Sequence, residues 1–275
     1  MDIELLDQLL RVQTRTGREE QMVSFLGEYC HKQGYAVHSD KHNNVYICKG
    51  VASAYPCVAA HIDTVQDFKP LEIVHEHGGR VTARHADTGK QTGFGADDKA
   101  GIFVCLELLK RMPVLCAVLF ASEECGCRGA YASCGEFFDH VGYMVEFDAP
   151  GRNLVSYTSG GHRLFDNDGD FIKTAHPVLD RWGLSLWQHH PFTDVMAMRE
   201  LHTFPCLNLS CGYYNWHRAD EYMRLDETEN SIRAGLDLLC TLGGRRFVDR
   251  DAERGVPLVE VTGLRVPSDS RLIPA

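Results

Sequence analysis

The chain has 275 residues, of which 44% are hydrophobic and 24% charged, the balance of an ordinary globular protein and not of a disordered or fibrous one. A net charge of −10, with no Lys/Arg run longer than Arg245-Arg246, argues against a nucleic-acid partner, which needs a concentrated basic face. Eleven scattered cysteines, an odd count, resemble no disulfide framework and are expected to pack as small apolar groups in a reducing compartment.

The opening MDIELLDQLLRVQ places Ile3, Leu5, Leu6, Leu9, Leu10 and Val12 at helical spacing. It lacks the basic start and cleavage site of a secretory signal, and nowhere do about 18 apolar residues run together, so the protein is expected to be cytoplasmic and not to span a membrane. A second helix over 18–33 closes at Gly34. Short β-type runs follow at 35–38, 45–48 and 57–60, and 71–74 with 80–83 predict a hairpin through His77-Gly78-Gly79. A helix over 98–111 carries Ile102, Cys105, Leu106 and Leu109 on one face and stops at Pro113. The nearly all-apolar 114–121 predicts a central strand buried on both faces. A helix from Arg128, strands at 143–147 and 153–157, a helix over 193–201, a strand at 206–209 and a long helix over 226–242 complete the series. Between 157 and 193 only Asp166-Asn167-Asp168-Gly169-Asp170 is assigned, as a solvated turn; a calcium loop or a site for a cationic amine is the weaker reading, since the later Glu of an EF-hand is missing. Strands alternating with helices predict a layered α/β domain around a mostly parallel sheet. Residues 1–248 are read as one domain, and 249–275 as a less regular tail that adds an edge strand or covers a neighbouring chain.

Groups that bind metal or move protons gather at the strand ends. His61 and Asp63 follow the strand at 57–60, Asp97 and Asp98 open the helix over 98–111, Glu123 and Glu124 follow 114–121, Asp148 follows 143–147, and His217 follows 206–209. In an open α/β sheet these ends converge on one crevice. Acids packed together raise one another's pKa unless cations intervene. Imidazole with carboxylate suits zinc, and a shared carboxylate can hold two ions about 3.5–4 Å apart. Such a set leaves a position for water, which marks a catalytic site, since structural zinc sites are closed.

Each residue alone has an ordinary alternative. His61 could be a satisfied strand-end histidine, Asp97 and Asp98 helix-capping acids, and Asp148 a turn residue before Ala149-Pro150-Gly151. His217 competes with His189, His190 and His202. Cys125 and Cys127 lack the second pair of a thiolate zinc site, and His75, His77 and His85 read as a solvated hairpin.

Taken together, the segments His61-Ile62-Asp63-Thr64-Val65, Gly95-Ala96-Asp97-Asp98-Lys99-Ala100-Gly101, Glu123-Glu124-Cys125-Gly126-Cys127-Arg128-Gly129-Ala130, Glu146-Phe147-Asp148 and Asn215-Trp216-His217 resemble, in order, the five metal-site motifs of the co-catalytic zinc exopeptidases. That superfamily includes the peptidase T and carboxypeptidase G, bacterial leucyl aminopeptidase and tetrahedral aminopeptidase branches. The resemblance runs from the strand before His61 to Tyr222. It implies a three-layer α/β/α fold around a mostly parallel mixed sheet. It also implies two Zn2+ ions per subunit, with Co2+ or Mn2+ as alternatives, one held by His61 and Asp148, the other by Glu124 and His217, with Asp97 bridging. Asp63 would orient His61, Glu123 would be the general base toward a water between the ions, and the peptide between Asp97 and Asp98 would be cis.

Many members of the peptidase T and carboxypeptidase G branch carry an inserted dimerising domain between the fourth and fifth motifs. The stretch from Asp148 to His217 is too short to hold one beside its part of the main sheet, so the lid and its oxyanion histidine have no counterpart. Arg128, His162 and Tyr213 are the candidates on the substrate side, with His189 and His190 by location. The implied function is an aminopeptidase or dipeptidase. Alternatives are an N-acyl amino acid amidohydrolase or a carboxypeptidase and, against the presence of Glu123, a non-catalytic metal-dependent binding protein. Expected partners are a small peptide or N-substituted amino acid, with no nucleic acid and no membrane; a homo-oligomer is left open.

Overall fold

A computed structural model describes residues 1–248 and the backbone of 271–272. Two helices open the chain: α1 (Ile3–Arg11), capped by Asp2 Oδ1 accepting the Leu5 N–H at 3.1 Å, and α2 (Glu20–Gln33), closed by Gly34 at φ 73°. There follow β1 (Ala36–Ser39), β2 (Val45–Lys49), β3 (Tyr55–His61), the hairpin β4 (Leu71–His75) and β5 (Arg80–His85), α3 (Ala96–Arg111), β6 (Leu115–Phe120), the short α4 (Arg128–Tyr131) and α5 (Gly135–Phe138), β7 (Val141–Ala149), β8 (Leu154–Ser159) and β9 (His162–Arg163). The chain continues through α6 (Asp170–Arg181), β10 (Leu186–His190), α7 (Asp194–Leu201), β11 (Cys206–Ser210), β12 (Tyr213–Tyr214), β13 (Tyr222–Arg224) and α8 (Leu225–Leu242). Of the stretch 249–275, only Arg271–Leu272 lies within the described residues, as β14 antiparallel to β1.

The main sheet runs β10-β8-β11-β7-β3-β6-β2-β1-β14. Its centre, β11-β7-β3-β6, is parallel throughout, with β8 and β2 antiparallel on its flanks. β3, β6 and β7 are buried at every position, which is why their sequences are apolar runs without alternation. A second, antiparallel sheet, β12-β13-β5-β4, stands beside it.

Successive side chains of a strand point to opposite faces, and β7 shows what covers each. Phe147 meets α8, where a Cβ on Gly235 would lie 2.9 Å from its Cζ, while Glu146 accepts from Thr193 and Val195 at the start of α7. The sheet is thus sandwiched between α3 with α8 and, opposite, α7: three layers. A Cβ on Gly101 would fall 2.0 Å from the Phe147 carbonyl oxygen, so α3 reaches the sheet only because glycine stands there. One row across the sheet is built almost wholly of sulfur. Cys48, Cys116, Cys57, Met144 and Cys206 are consecutive register partners on five strands, and Cys48 Sγ lies 2.9 Å from Cys116 Sγ.

Some elements depart from the sequence reading. α6 and β10 occupy the stretch left unassigned, because Pro177 interrupts the helix signal and β10, Leu-Trp-Gln-His-His at a sheet edge, carries no apolar alternation. The helix from Arg128 is a single turn, followed by another at Gly135–Phe138. No helix among the described residues is long and apolar enough to cross a membrane.

Candidate active site

The parallel strands all end on one side, and their loops assemble the site. His61 closes β3. Its Nδ1 lies 2.9 Å from the Asp63 carbonyl oxygen, which can only accept, so Nδ1 donates there and Nε2 is the nitrogen turned into the crevice. Nε2 faces Asp97 Oδ1 at 3.0 Å and Asp148 Oδ1 at 3.5 Å. The Asp63 carboxylate, fully buried, accepts from the Glu123 N–H at 2.9 Å and the Thr16 hydroxyl at 2.8 Å, and so couples the β3 end to the loop after β6.

The segment before α3 turns through Gly95, at φ 72°, where a Cβ would strike Thr64 Cγ2 at 2.4 Å. The peptide between Asp97 and Asp98 is cis, as the resemblance implies, and the two acids diverge. Asp98 turns inward, accepting from the His61 N–H at 3.2 Å and the Gly101 N–H at 3.0 Å. Asp97 turns into the crevice, with Oδ1 toward His61 and Oδ2 3.3 Å from His217 Nε2. After β6 the chain turns at Ser122, φ 56°, into a 3-10 turn over Glu123–Cys125. Glu124 Oε1 lies 2.8 Å from His217 Nε2, and Glu123 Oε2 lies 4.0 Å from His61 Nε2. Asp148, near the end of β7, accepts from Thr193 Oγ1 at 3.2 Å and Tyr213 OH at 3.3 Å.

Among the described residues, donor atoms gather into three overlapping groups, each within 4.8 Å: His61, Asp97 and Asp148; Asp97, Glu124 and His217; and His61, Glu123 and Glu124. None includes a cysteine. Cys127 lies 3.8 Å from Glu123 Oε1 and Cys125 is exposed. The electrostatics call for cations. Burial, with Asp148, Asp97 and Glu124 nearby, pushes Glu123 well above the usual carboxylate range, and burial also raises Glu124. Burial opposes ionisation of Asp97 too, but hydrogen bonds from His217 and His61 outweigh it and lower its pKa. Contacts to Asp97 and Glu124 raise His217 to about 10. Imidazole nitrogens and carboxylate oxygens at this spacing could hold a divalent metal ion.

The groups open into a cavity of about 370 Å³ walled by Pro150, Leu154, Pro191, Phe192, Tyr213 and Trp216, together with Gln188, His189 and His190 of β10. Tyr213 lies inside this wall; Arg128 is exposed and His162 pairs with Glu200 at 2.9 Å, both away from the lining. His202 stacks on Phe204 and takes no part. Sequence reasoning missed the buried acids behind the site. Burial and Asp148 push Glu146 to about 8, and Asp194, fully buried with both oxygens unpartnered, is raised well above its usual range by burial and Glu146. Glu146 stood in a quoted motif, and its place one residue before Phe147 was the available signal; Asp194 gave none.

No family profile matches the chain, and no curated protein matches it. Solved structures share its fold. An aminopeptidase PepT from Bacillus cereus superposes with TM-score 0.71 at 13% identity, over 86% of this chain and 96% of that one. A tripeptidase from Staphylococcus aureus gives 0.72 at 14%, over 86% and 96%. The TET1 peptidase of Pyrococcus horikoshii, which can assemble into a tetrahedron or a large octahedral shell, gives 0.63 at 14%, over 86% and 98%. The chain therefore has the mixed α/β fold of these peptidases, with the acidic and histidine cluster at the carboxyl ends of its parallel strands.

Proposed function

We propose that the chain is a divalent-metal-dependent exopeptidase, an aminopeptidase acting on short peptides, with residues 1–248 as one catalytic domain. The observation that carries this reading is Asp97, which directs one carboxylate oxygen toward His61 and the other toward His217. In this reading His61 and Asp148 hold one Zn2+, Co2+ or Mn2+, Glu124 and His217 hold the other, and Asp97 is common to both. When bound, the ions acidify a water molecule and polarise the scissile carbonyl. Glu123, on the cavity wall, accepts the proton of the attacking water and returns it to the leaving nitrogen. Asp63 acts through His61, keeping Nδ1 protonated and Nε2 free.

The wall supports recognition of an amino terminus. Among the described residues no Lys or Arg lines the cavity to pair with a free carboxylate, while apolar and aromatic side chains offer a pocket for a residue side chain. A second reading, hydrolysis of an N-acyl amino acid, is favoured by His189 and His190, which would pair a carboxylate when protonated. A panel of aminoacyl anilides and tripeptides against N-acetylated amino acids separates the two: release from the first group alone is expected, and release from the second alone defeats the aminopeptidase reading. Glu123→Gln should lose about 10²–10⁴-fold in turnover while its bound metal stays at the parental level. Unchanged turnover would remove Glu123 from the mechanism. Self-association belongs to the same proposal, supported by the edge position of β10 and the exposed Tyr157, Leu186 and Phe192, and sedimentation velocity tests it.

A further inference from the structure

Glu221 follows closely on His217 in the chain and is fully buried, yet neither metal binding nor proton transfer calls on it. Its carboxylate crosses to the segment that precedes α3. Oε2 accepts the N–H groups of Phe94 at 2.6 Å and Gly95 at 2.8 Å, and Oε1 accepts that of Asp97 at 3.4 Å. Lys99, 2% exposed, holds the same segment from its other side, its Nζ donating to the carbonyl oxygens of Phe94 at 2.7 Å and Leu10 at 3.2 Å. The Phe94 residue is thus gripped at its N–H by the buried Glu221 side chain and at its C=O by the buried Lys99 Nζ. The two backbones are also built to touch. A Cβ on Gly93 would fall 2.7 Å from the Arg218 carbonyl oxygen and 3.3 Å from Glu221 Oε2.

The other residues of the cluster have their own anchors: Asp63 and Asp98 for His61, Thr193 and Tyr213 for Asp148. His217 sits on a loop between β12 and β13, in the left-handed region at φ 62°, with its side chain 40% exposed. Its distance from Asp97 therefore depends on how that loop is tied to the segment before α3.

We propose that Glu221 is a positioning residue that locks the loop of His217 to the segment of Asp97, with Lys99 as its counter-brace, and so sets the geometry of the Asp97, Glu124 and His217 group. The inference rests on the two-ion reading above. It places the weak point of metal loading in that group and leaves the His61 and Asp148 side intact.

Calorimetric titration of Zn2+ into chelator-stripped protein tests it. The parent should take up two ions. Glu221→Gln, which keeps the shape but has one acceptor oxygen, should bind one ion as the parent does and the other about 10–100-fold more weakly. Glu221→Asp, shorter but still a carboxylate, should recover part of the loss. Glu107→Gln is the control: this buried acid on α3 pairs with Arg111 at 2.6 Å, so its loss should lower stability and leave both affinities unchanged. Parental affinity for both ions in Glu221→Gln, or a loss no greater than in Glu107→Gln, overturns the positioning role alone. A parent that binds fewer than two ions overturns the two-ion reading and the inference with it. If Glu221→Gln does not fold, amide exchange in the parent decides. The Phe94 and Gly95 N–H groups should exchange as slowly as those inside α3, and exchange at the rate of an open loop defeats the lock.

Discussion

His61 and His202 are both enclosed, and their surroundings push them in opposite directions. Burial works against a charge on His61, but Asp148, Asp63 and Asp97 outweigh it and hold the imidazole well above its ordinary value. His202 has Phe138 at 4.8 Å and Phe204 at 5.2 Å from its ring, and desolvation pulls its pKa from 6.5 down to about 4. The fold thus prefers the neutral ring, whereas the unfolded chain takes up the proton near 6.5. This contribution is complete above pH 6.5 and is lost as pH falls toward 4, by at most about 3 kcal/mol. Urea unfolding at pH 7 and pH 4.5 measures it. His202→Phe should lose less stability over that interval than the parent, and equal losses would show that acid sensitivity lies elsewhere.

α3 carries the strongest packing constraint among the elements, because it meets the sheet through Gly101. Gly101→Ala puts a methyl against the Phe147 carbonyl and Asp98, and overpacking of this kind costs about 1–3 kcal/mol or more. A lowered urea midpoint at unchanged slope is the expected signature, and parental stability would show that the helix can shift. The same helix marks how far the fold could be read. Ile102, Cys105, Leu106 and Leu109 announce one apolar face, whereas the helix is buried on every side from Ala96 to Leu109; the apolar run of β6 announces a central strand, and there local pattern and burial coincide. β10 was invisible because an edge strand need not be apolar, and α6 because proline breaks the helical signal. At the site, residue types and their order pointed to His61, Asp97, Glu123, Glu124, Asp148 and His217. The bracing by Glu221 and the buried acids Glu146 and Asp194 was not legible, since an acid gains such a role only from tertiary partners distant in sequence.

At the scale of the whole molecule, the candidate ligands come from five segments between His61 and His217, so ions held by them would bind the folded chain and not the unfolded one. An ion at a hundred times its Kd adds about 2.7 kcal/mol, and removing it should lower Tm by roughly 5–10 °C. Differential scanning calorimetry with and without a chelator measures the shift, and a Tm indifferent to chelator and to added Zn2+ would count against the metal reading. The sulfur row across five strands has a different consequence. Burial keeps the Cys57 thiol well above its usual pKa and therefore inert, and the cysteines of this row are thiols. Heating ends that protection for the buried thiols at once, and air oxidation then competes with refolding by joining wrong partners. A second calorimetric scan should recover the transition when a phosphine reductant is present and lose much of it in aerated buffer. The durability of this protein after stress is then set by the redox state of its surroundings as much as by its folding free energy.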